Sequence, residues 1–341
     1  MSFASLKRFA LAGAVAGAAL ASLPAHAAYN GIVFFGDSLS DSGNNYIAIG
    51  AAPPPGTPIP PITPNAAITN NTFIPSLPYA GAPIPVYSNG PVWASVFAQK
   101  MGLASSALPS LAGGTNFAFG GAVTGGTTGF PFSLTDQLGM FLGGSGGAAP
   151  SSFLYVVAGG GNDARAALGA IAGGASPFAT IGAASYNYAN NVGNIVDSLQ
   201  AAGAKNIVVW NTPNLGVAPA VTSQGLPAIA LGMGVAEAMN AALAERLKGE
   251  AGVQIFDLFG AVDGILANPG AYGLTNTADA CIQGLCDASK YLFWDGIHPT
   301  ARGHEILANQ MYAQVVPEPE TYALFALGLA ALAWRARKRV S

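Results

Sequence analysis

A serine hydroxyl is a weak nucleophile at neutral pH and needs an adjacent base. Between residues 28 and 316 the chain has two histidines that could serve, His298 and His304. His298 stands in Asp295-Gly296-Ile297-His298-Pro299, with a carboxylate three residues before it. Such a carboxylate can fix one imidazole tautomer and stabilise the imidazolium formed on proton uptake. The base needs that orienting partner, so His304 reads instead as a partly exposed residue of the helix that Pro299 starts. The matching alcohol is Ser38, in Gly36-Asp37-Ser38-Leu39-Ser40-Asp41-Ser42-Gly43 directly behind an apolar run. Two more blocks follow apolar runs: Asn116-Phe117-Ala118-Phe119-Gly120-Gly121-Ala122 and Gly160-Gly161-Asn162-Asp163. Backbone N–H groups and an amide can stabilise a developing oxyanion, and glycine lets backbone approach a ligand with no β-carbon in the way.

These blocks need a scaffold. Short apolar runs at 31–35, 115–119, 153–158, 206–210 and 253–256 read as buried strands. Their near-continuous apolar character predicts a parallel sheet covered on both faces. Helical patterns lie between them at 91–101, 134–142, 185–202, 228–248 and 299–314. The alternation implies a doubly wound, three-layer α/β fold, which binds ligands at the C-terminal edge of its strands. Residues 51–91 break the rhythm and hold half of the chain's 24 prolines. Following the Ser38 block, that stretch reads as a long loop and a candidate substrate-facing cover.

The four blocks, in this order, resemble those of the GDSL, or SGNH, hydrolase superfamily, in its bacterial lipase/acylhydrolase branch. The resemblance covers most of the chain. It implies a flavodoxin-like α/β/α fold with a parallel five-stranded sheet of order 2-1-3-4-5. It further implies Ser38 as nucleophile, His298 as base and Asp295 as its acid. The oxyanion donors would be the Ser38 N–H, the Gly121 N–H (with Gly120 the alternative) and the Asn162 side chain. Asp37 and Asp163 are expected to brace their turns, and Asp41 to act as a cap or loop residue. The expected substrate is an ester: a lipid, a short-chain ester or an acylated glycan.

Competing motifs are weaker. Gly143-Gly144-Ser145-Gly146-Gly147 has the spacing of a nucleophile elbow, but a helical pattern rather than a strand precedes it. Gly159-Gly160-Gly161 is followed by neither a dinucleotide fingerprint nor a phosphate-loop lysine. Phe130, Phe132 and Met140 could line an acyl pocket, although core packing is the more ordinary role for such residues. No metal or organic cofactor is implied.

The ends read as export signals. Lys7 and Arg8, an apolar run and Ala25-His26-Ala27 form a secretory signal peptide over residues 1–27. Residues 28–315 are then the hydrolase domain. Residues 316–341 begin with Val316-Pro317-Glu318-Pro319-Glu320, continue with an apolar stretch over 321–334 and finish in Arg335, Arg337, Lys338 and Arg339. This order resembles the PEP-CTERM sorting signal of Gram-negative bacteria that make exopolysaccharide. It implies transient inner-membrane contact through 321–334 and cutting by an exosortase-type protease, with the product in the periplasm, on the cell surface or in the extracellular matrix.

Of 13 basic and 16 acidic side chains, six and two lie in these ends, leaving 7 and 14, a net of −7 for the body. That balance argues against nucleic-acid binding. Cys281 and Cys286, the only cysteines, read as a small disulfide loop in an oxidising compartment. The alternatives to a general esterase are a polysaccharide O-acetylesterase of the same fold and a non-catalytic matrix or surface protein.

Overall fold

The computed structural model describes residues 29–50, 71–80, 84–126, 129–282, 286–316, 327–330 and 335. The expected signal peptide, residues 51–70 and 81–83 of the proline-rich stretch and most of the C-terminal signal lie outside the described residues. Residues 29–311 form one compact unit. In the second unit, the described residues 327–330 are helical and exposed.

Among the described residues four parallel strands make the central sheet, in the order β1 (Ile32–Gly36), β2 (Leu154–Ala158), β3 (Asn206–Trp210) and β4 (Val253–Phe256). They are in register from Ile32 opposite Leu154 and Leu154 opposite Asn206. Every residue of β1 and β2 is buried, as unbroken apolar runs in a two-sided sheet require.

The helices are α1 (Asn44–Gly50), α2 (Trp93–Lys100), α3 (Leu134–Gly144), α4 (Gly161–Ala172), α5 (Pro177–Ala201), α6 (Pro219–Thr222), α7 (Leu226–Arg246), α8 (Leu258–Ala267) and α9 (Ala301–Val315). Alternate strand residues Val33, Phe35, Tyr155, Val157, Ile207 and Val209 share one core with Leu138 and Phe141 of α3, Val192 and Val196 of α5, and Val235 and Met239 of α7. On the opposite face Trp93 of α2 stacks on Trp210, ring centres 4.0 Å apart, and meets Phe34 edge-on at 5.6 Å. Helices on both faces make the three layers.

The expected fifth strand is an irregular extended segment. It lies along β1, with Phe34 N–H donating to the Thr115 carbonyl, and Phe117 and Phe119 N–H donating to the Phe34 and Gly36 carbonyls. Residue 116 is diverted by its own side chain. Asn116 Oδ1 accepts from Ala118 N–H, and Nδ2 donates to the Ser40 carbonyl. The segment therefore bonds to β1 without forming a regular ladder.

Further observations concern the helices. Residues 161–172 are helical, although their small residues show little periodicity. α5 begins eight residues earlier than its apolar pattern, at a proline in the first turn. Glycines 143 and 144 end α3 and form no elbow. Among the described residues α7 is the one helix long and apolar enough to cross a membrane. Its Val235, Ala236, Met239 and Leu243 lie in the sheet core.

A second, smaller core gathers Tyr79, Cys281, Ile282 and Trp294, with Phe73, Cys286 and Tyr291 against it. Cys281 and Cys286 are disulfide-bonded. A short parallel pair, β5 (Asn276–Ala280) and β6 (Tyr291–Phe293), leads into the 294–298 loop.

Candidate active site

Chain direction at the end of β1 is set by Gly36. A β-carbon there would lie 2.7 Å from the Ala158 carbonyl and 2.9 Å from Ser40, so only glycine allows this approach. Gln137 of α3 grips the same residue with both ends of its amide, Oε1 accepting from Gly36 N–H and Nε2 donating to its carbonyl, each at 2.8 Å. The chain then turns tightly. Ser40 and Asp41 N–H donate to the Asp37 carbonyl, and Leu39 N–H donates to Asp37 Oδ1 at 3.0 Å. None of these bonds uses the Ser38 N–H. Burial pushes the Asp37 carboxyl up to about 6, against the lowering effects of the Leu39 N–H and the charge of His298.

Ser38 Oγ lies 2.8 Å from His298 Nε2, and His298 Nδ1 lies 2.7 Å from Asp295 Oδ2. All three residues are buried, Asp295 completely. Asp295 Oδ1 accepts from the Ile297 and His298 N–H groups, both at 2.8 Å. The carboxylate thus shapes the loop that presents the imidazole. Two tyrosines complete the surroundings. Tyr79 donates to Asp295 Oδ2 at 2.8 Å. The Tyr87 ring lies beside the imidazole, centres 5.4 Å apart, with its hydroxyl accepting from Asn45 Nδ2.

Of the other expected residues, Asn162 lines the same cavity as Ser38 and His298, and Gly121 is not in that lining. Gly121 has φ +84°, a left-handed conformation suited to glycine. Its neighbour Gly120 is committed, because the Gly120 N–H donates to Asp41 Oδ2 at 2.9 Å. Of the two glycines considered as oxyanion donors, Gly121 is therefore the one not tied to Asp41. Asn162 opens α4. Its Nδ2 donates to the Ala122 carbonyl at 2.8 Å, and Arg165 holds its Oδ1 at 2.9 Å. Among the described residues the other amide hydrogen of Asn162 has no hydrogen-bond partner. Asp163 ties this helix to the loop after Gly121, accepting from Thr124 N–H and Thr124 Oγ1. Burial raises the Asp163 carboxyl while those bonds oppose the rise.

Asp41 does more than cap a loop. Its Oδ1 accepts from Gly43 and Asn44 N–H, and its Oδ2 from Asn45 and Gly120 N–H. It therefore joins the start of α1 to the glycine pair. Burial pushes Asp41 up to about 6 in spite of these four donors.

His304 is fully buried rather than partly exposed. Its ring nitrogens have no hydrogen-bond partner among the described residues, and burial lowers its imidazole to about 3. The helix turns that residue toward the protein interior, a direction that spacing from Pro299 did not reveal.

A cavity of about 100 Å³ opens beside Ser38 and His298. Leu39, Pro213, Leu215, Val217, Val221 and Val262 line its apolar part, with Asn162 and Arg165 also in the lining. Phe130 and Phe132 are elsewhere, edge-to-face with Phe119 at 6.2 and 5.1 Å. No described residue of 51–91 lines the cavity, so the described part of that stretch is not its cover. It packs behind the acid instead. Sequence reasoning also missed Gln137, Tyr79, Tyr87 and Asn45. A glutamine on the apolar face of a helical pattern is a signal for Gln137, whereas no local pattern marks the other three.

Ser38, His298 and Asp295 thus stand in one line of short contacts at the C-terminal edge of a parallel sheet, and the family match that follows makes the chain a hydrolase that acts on esters. The chain belongs to the GDSL-like lipase/acylhydrolase family, which it matches over residues 32–311. Residues 315–338 match the PEP-CTERM protein-sorting motif, which indicates export across the inner membrane of Gram-negative bacteria. Among curated relatives, a GDSL esterase/lipase of Arabidopsis thaliana is 26% identical over 82% of this chain and 88% of its own length. Esterase EstA of Pseudomonas aeruginosa and of Pseudomonas putida are each 28% identical over 90% of this chain. The matched region spans 50% of the length of each EstA.

Proposed function

We propose that the protein is an exported carboxylic-ester hydrolase that works through an acyl-enzyme on Ser38. Ser38 Oγ attacks the ester carbonyl while His298 Nε2 takes its proton. Asp295 stabilises the resulting imidazolium. The Ser38 N–H, the Gly121 N–H and the free amide hydrogen of Asn162 receive the oxyanion. His298 then gives its proton to the departing alcohol, and water releases the acyl group by the same route. Asp37 and Asp163 brace the two turns. The single observation that carries this reading is the unbroken line of short contacts from Ser38 through His298 to Asp295.

The apolar lining supports an acyl chain on that side of Ser38. Its size is modest beside drug-sized pockets of roughly 300–1,000 Å³, so short to medium chains fit best. Ser38→Ala should reduce p-nitrophenyl butyrate hydrolysis by roughly 10⁴-fold or more while leaving the thermal unfolding midpoint close to that of the parent. Near-parental turnover in the folded variant would refute the assignment.

The domain layout belongs to the same proposal: a signal peptide over 1–27, the hydrolase over 28–315 and a sorting tail over 316–341. Exosortase-type processing near Pro317 would deliver the domain to the periplasm, cell surface or matrix. The sorting motif favours a second reading in which the ester is an O-acetyl group on polysaccharide. A chain-length panel run beside acetylated glycan separates the two, since apolar-pocket control predicts butyrate or hexanoate above acetate.

A further inference from the structure

We infer that Tyr79 is a positioning residue for the acid of the site, and that residues 71–80, paired with Val86, form a strap that delivers it. This rests on the Ser38–His298–Asp295 reading above. Tyr79 is 216 residues from Asp295 in sequence, is completely buried, and donates to Oδ2 at 2.8 Å. That oxygen is also the one facing His298 Nδ1. The two local N–H donors both go to Oδ1, so Tyr79 is the donor from outside the loop on the working oxygen. A buried carboxylate that loses such a donor is both less well solvated and freer to rotate.

The strap is anchored on each side of the tyrosine. Gly296 N–H donates to the Phe73 carbonyl at 2.8 Å, inside the acid–base loop itself. A β-carbon at Gly296 would lie 2.8 Å from both the Asn71 and Phe73 carbonyls, so the two backbones are in close contact. Asn71 Oδ1 accepts from Ala280 N–H, and its Nδ2 donates to Asp279. Beyond the tyrosine, Tyr79 N–H donates to the Val86 carbonyl at 2.8 Å, and the Tyr79 ring meets Trp294 edge-on at 5.9 Å. Trp294 adjoins Asp295 in sequence, and the Cys281–Cys286 disulfide belongs to the same small core. The phenol is thus held by its backbone, its ring and its neighbours, and among the described residues its hydroxyl donates to the acid. Its elevated ionisation range, caused first by burial and then by Asp295, keeps it a donor at working pH.

The test is a cycle of four proteins made as the full chain: parent, Tyr79→Phe, Asp295→Asn, and the double variant, with Ser38→Ala as control. Phenylalanine keeps the ring and its contact with Trp294. Tyr79→Phe should lower kcat for p-nitrophenyl butyrate roughly tenfold or more, the scale of a hydrogen bond to a charged group, with KM little changed. In the Asp295→Asn background the same change should cost less than about twofold, because the residue acts through the carboxylate. Equal losses in both backgrounds would mean a general packing effect and would overturn the inference. So would parental kcat in folded Tyr79→Phe. If Ser38→Ala itself stayed active, the underlying site reading would fail, a result distinguishable from either of these.

Discussion

The two halves of the site are built differently. The half that holds Ser38 sits on the main core. Its turn is closed by Asp37, gripped through Gln137 at Gly36, and joined by Asp41 to the glycine pair. The half that holds His298 rests on a small satellite core of Tyr79, Cys281, Ile282 and Trp294. The nucleophile is supported by the sheet, the base by a strap and a disulfide loop. A site assembled this way has one half tied to global stability and the other open to local loosening.

The sharpest way to break the first half is Asp41→Ala. Four backbone N–H groups would lose their acceptor in a buried place. We expect a loss of roughly 3 kcal/mol or more in unfolding free energy, read by urea titration, together with a fall in turnover as the Gly120–Gly121 turn loosens. A variant with parental stability would show that water replaces the carboxylate there.

The satellite half should respond less in stability and more locally. Replacing Cys281 and Cys286 together by alanine removes a short loop closure worth about 2 kcal/mol. Hydrogen exchange should rise over residues 286–298 and 71–80 while β1 and β2 keep their protection. Uniform loss of protection across the sheet would contradict the division into two halves.

A third effect concerns pH. The imidazole of His304 titrates near 6.5 when free and near 3 when folded. Between those values the unfolded chain binds more protons, so this group's contribution falls as pH drops from about 6.5 toward 3. Asp37 and Asp41, raised from 3.8 to about 6, act oppositely: the folded chain binds more protons, and their contribution declines as pH rises through that window. His304→Leu should therefore flatten the acid-side decline in Tm below pH 6.5. An unchanged profile would show that His304 is not the group responsible.

Much of the first half was legible in the sequence, because its determinants are contiguous. Gly36 to Gly43 carries the turn, the nucleophile and Asp41 within eight residues. The strand runs were equally readable, except that Asn116 uses its side chain to break up the edge segment at 115–119. The acid–base pair was legible for the same reason of short spacing. Its support was not. Tyr79 lies in a stretch whose prolines suppress any periodicity, and its partner is in the last fifth of the chain, so nothing local marks the contact. The burial of His304 was hidden likewise, since helix spacing gives a face but not what that face meets.

The separation of 260 positions from Ser38 to His298 also imposes an order of events. A chain delivered from its amino end presents its alcohol early, and for most of its passage that alcohol has no proton acceptor. On the proposed mechanism, fragments ending anywhere before the Asp295–Pro299 turn should be inert for the same reason. On that mechanism reactivity would arrive only with the Asp295–Pro299 turn, after the sheet and most of its helices have been delivered.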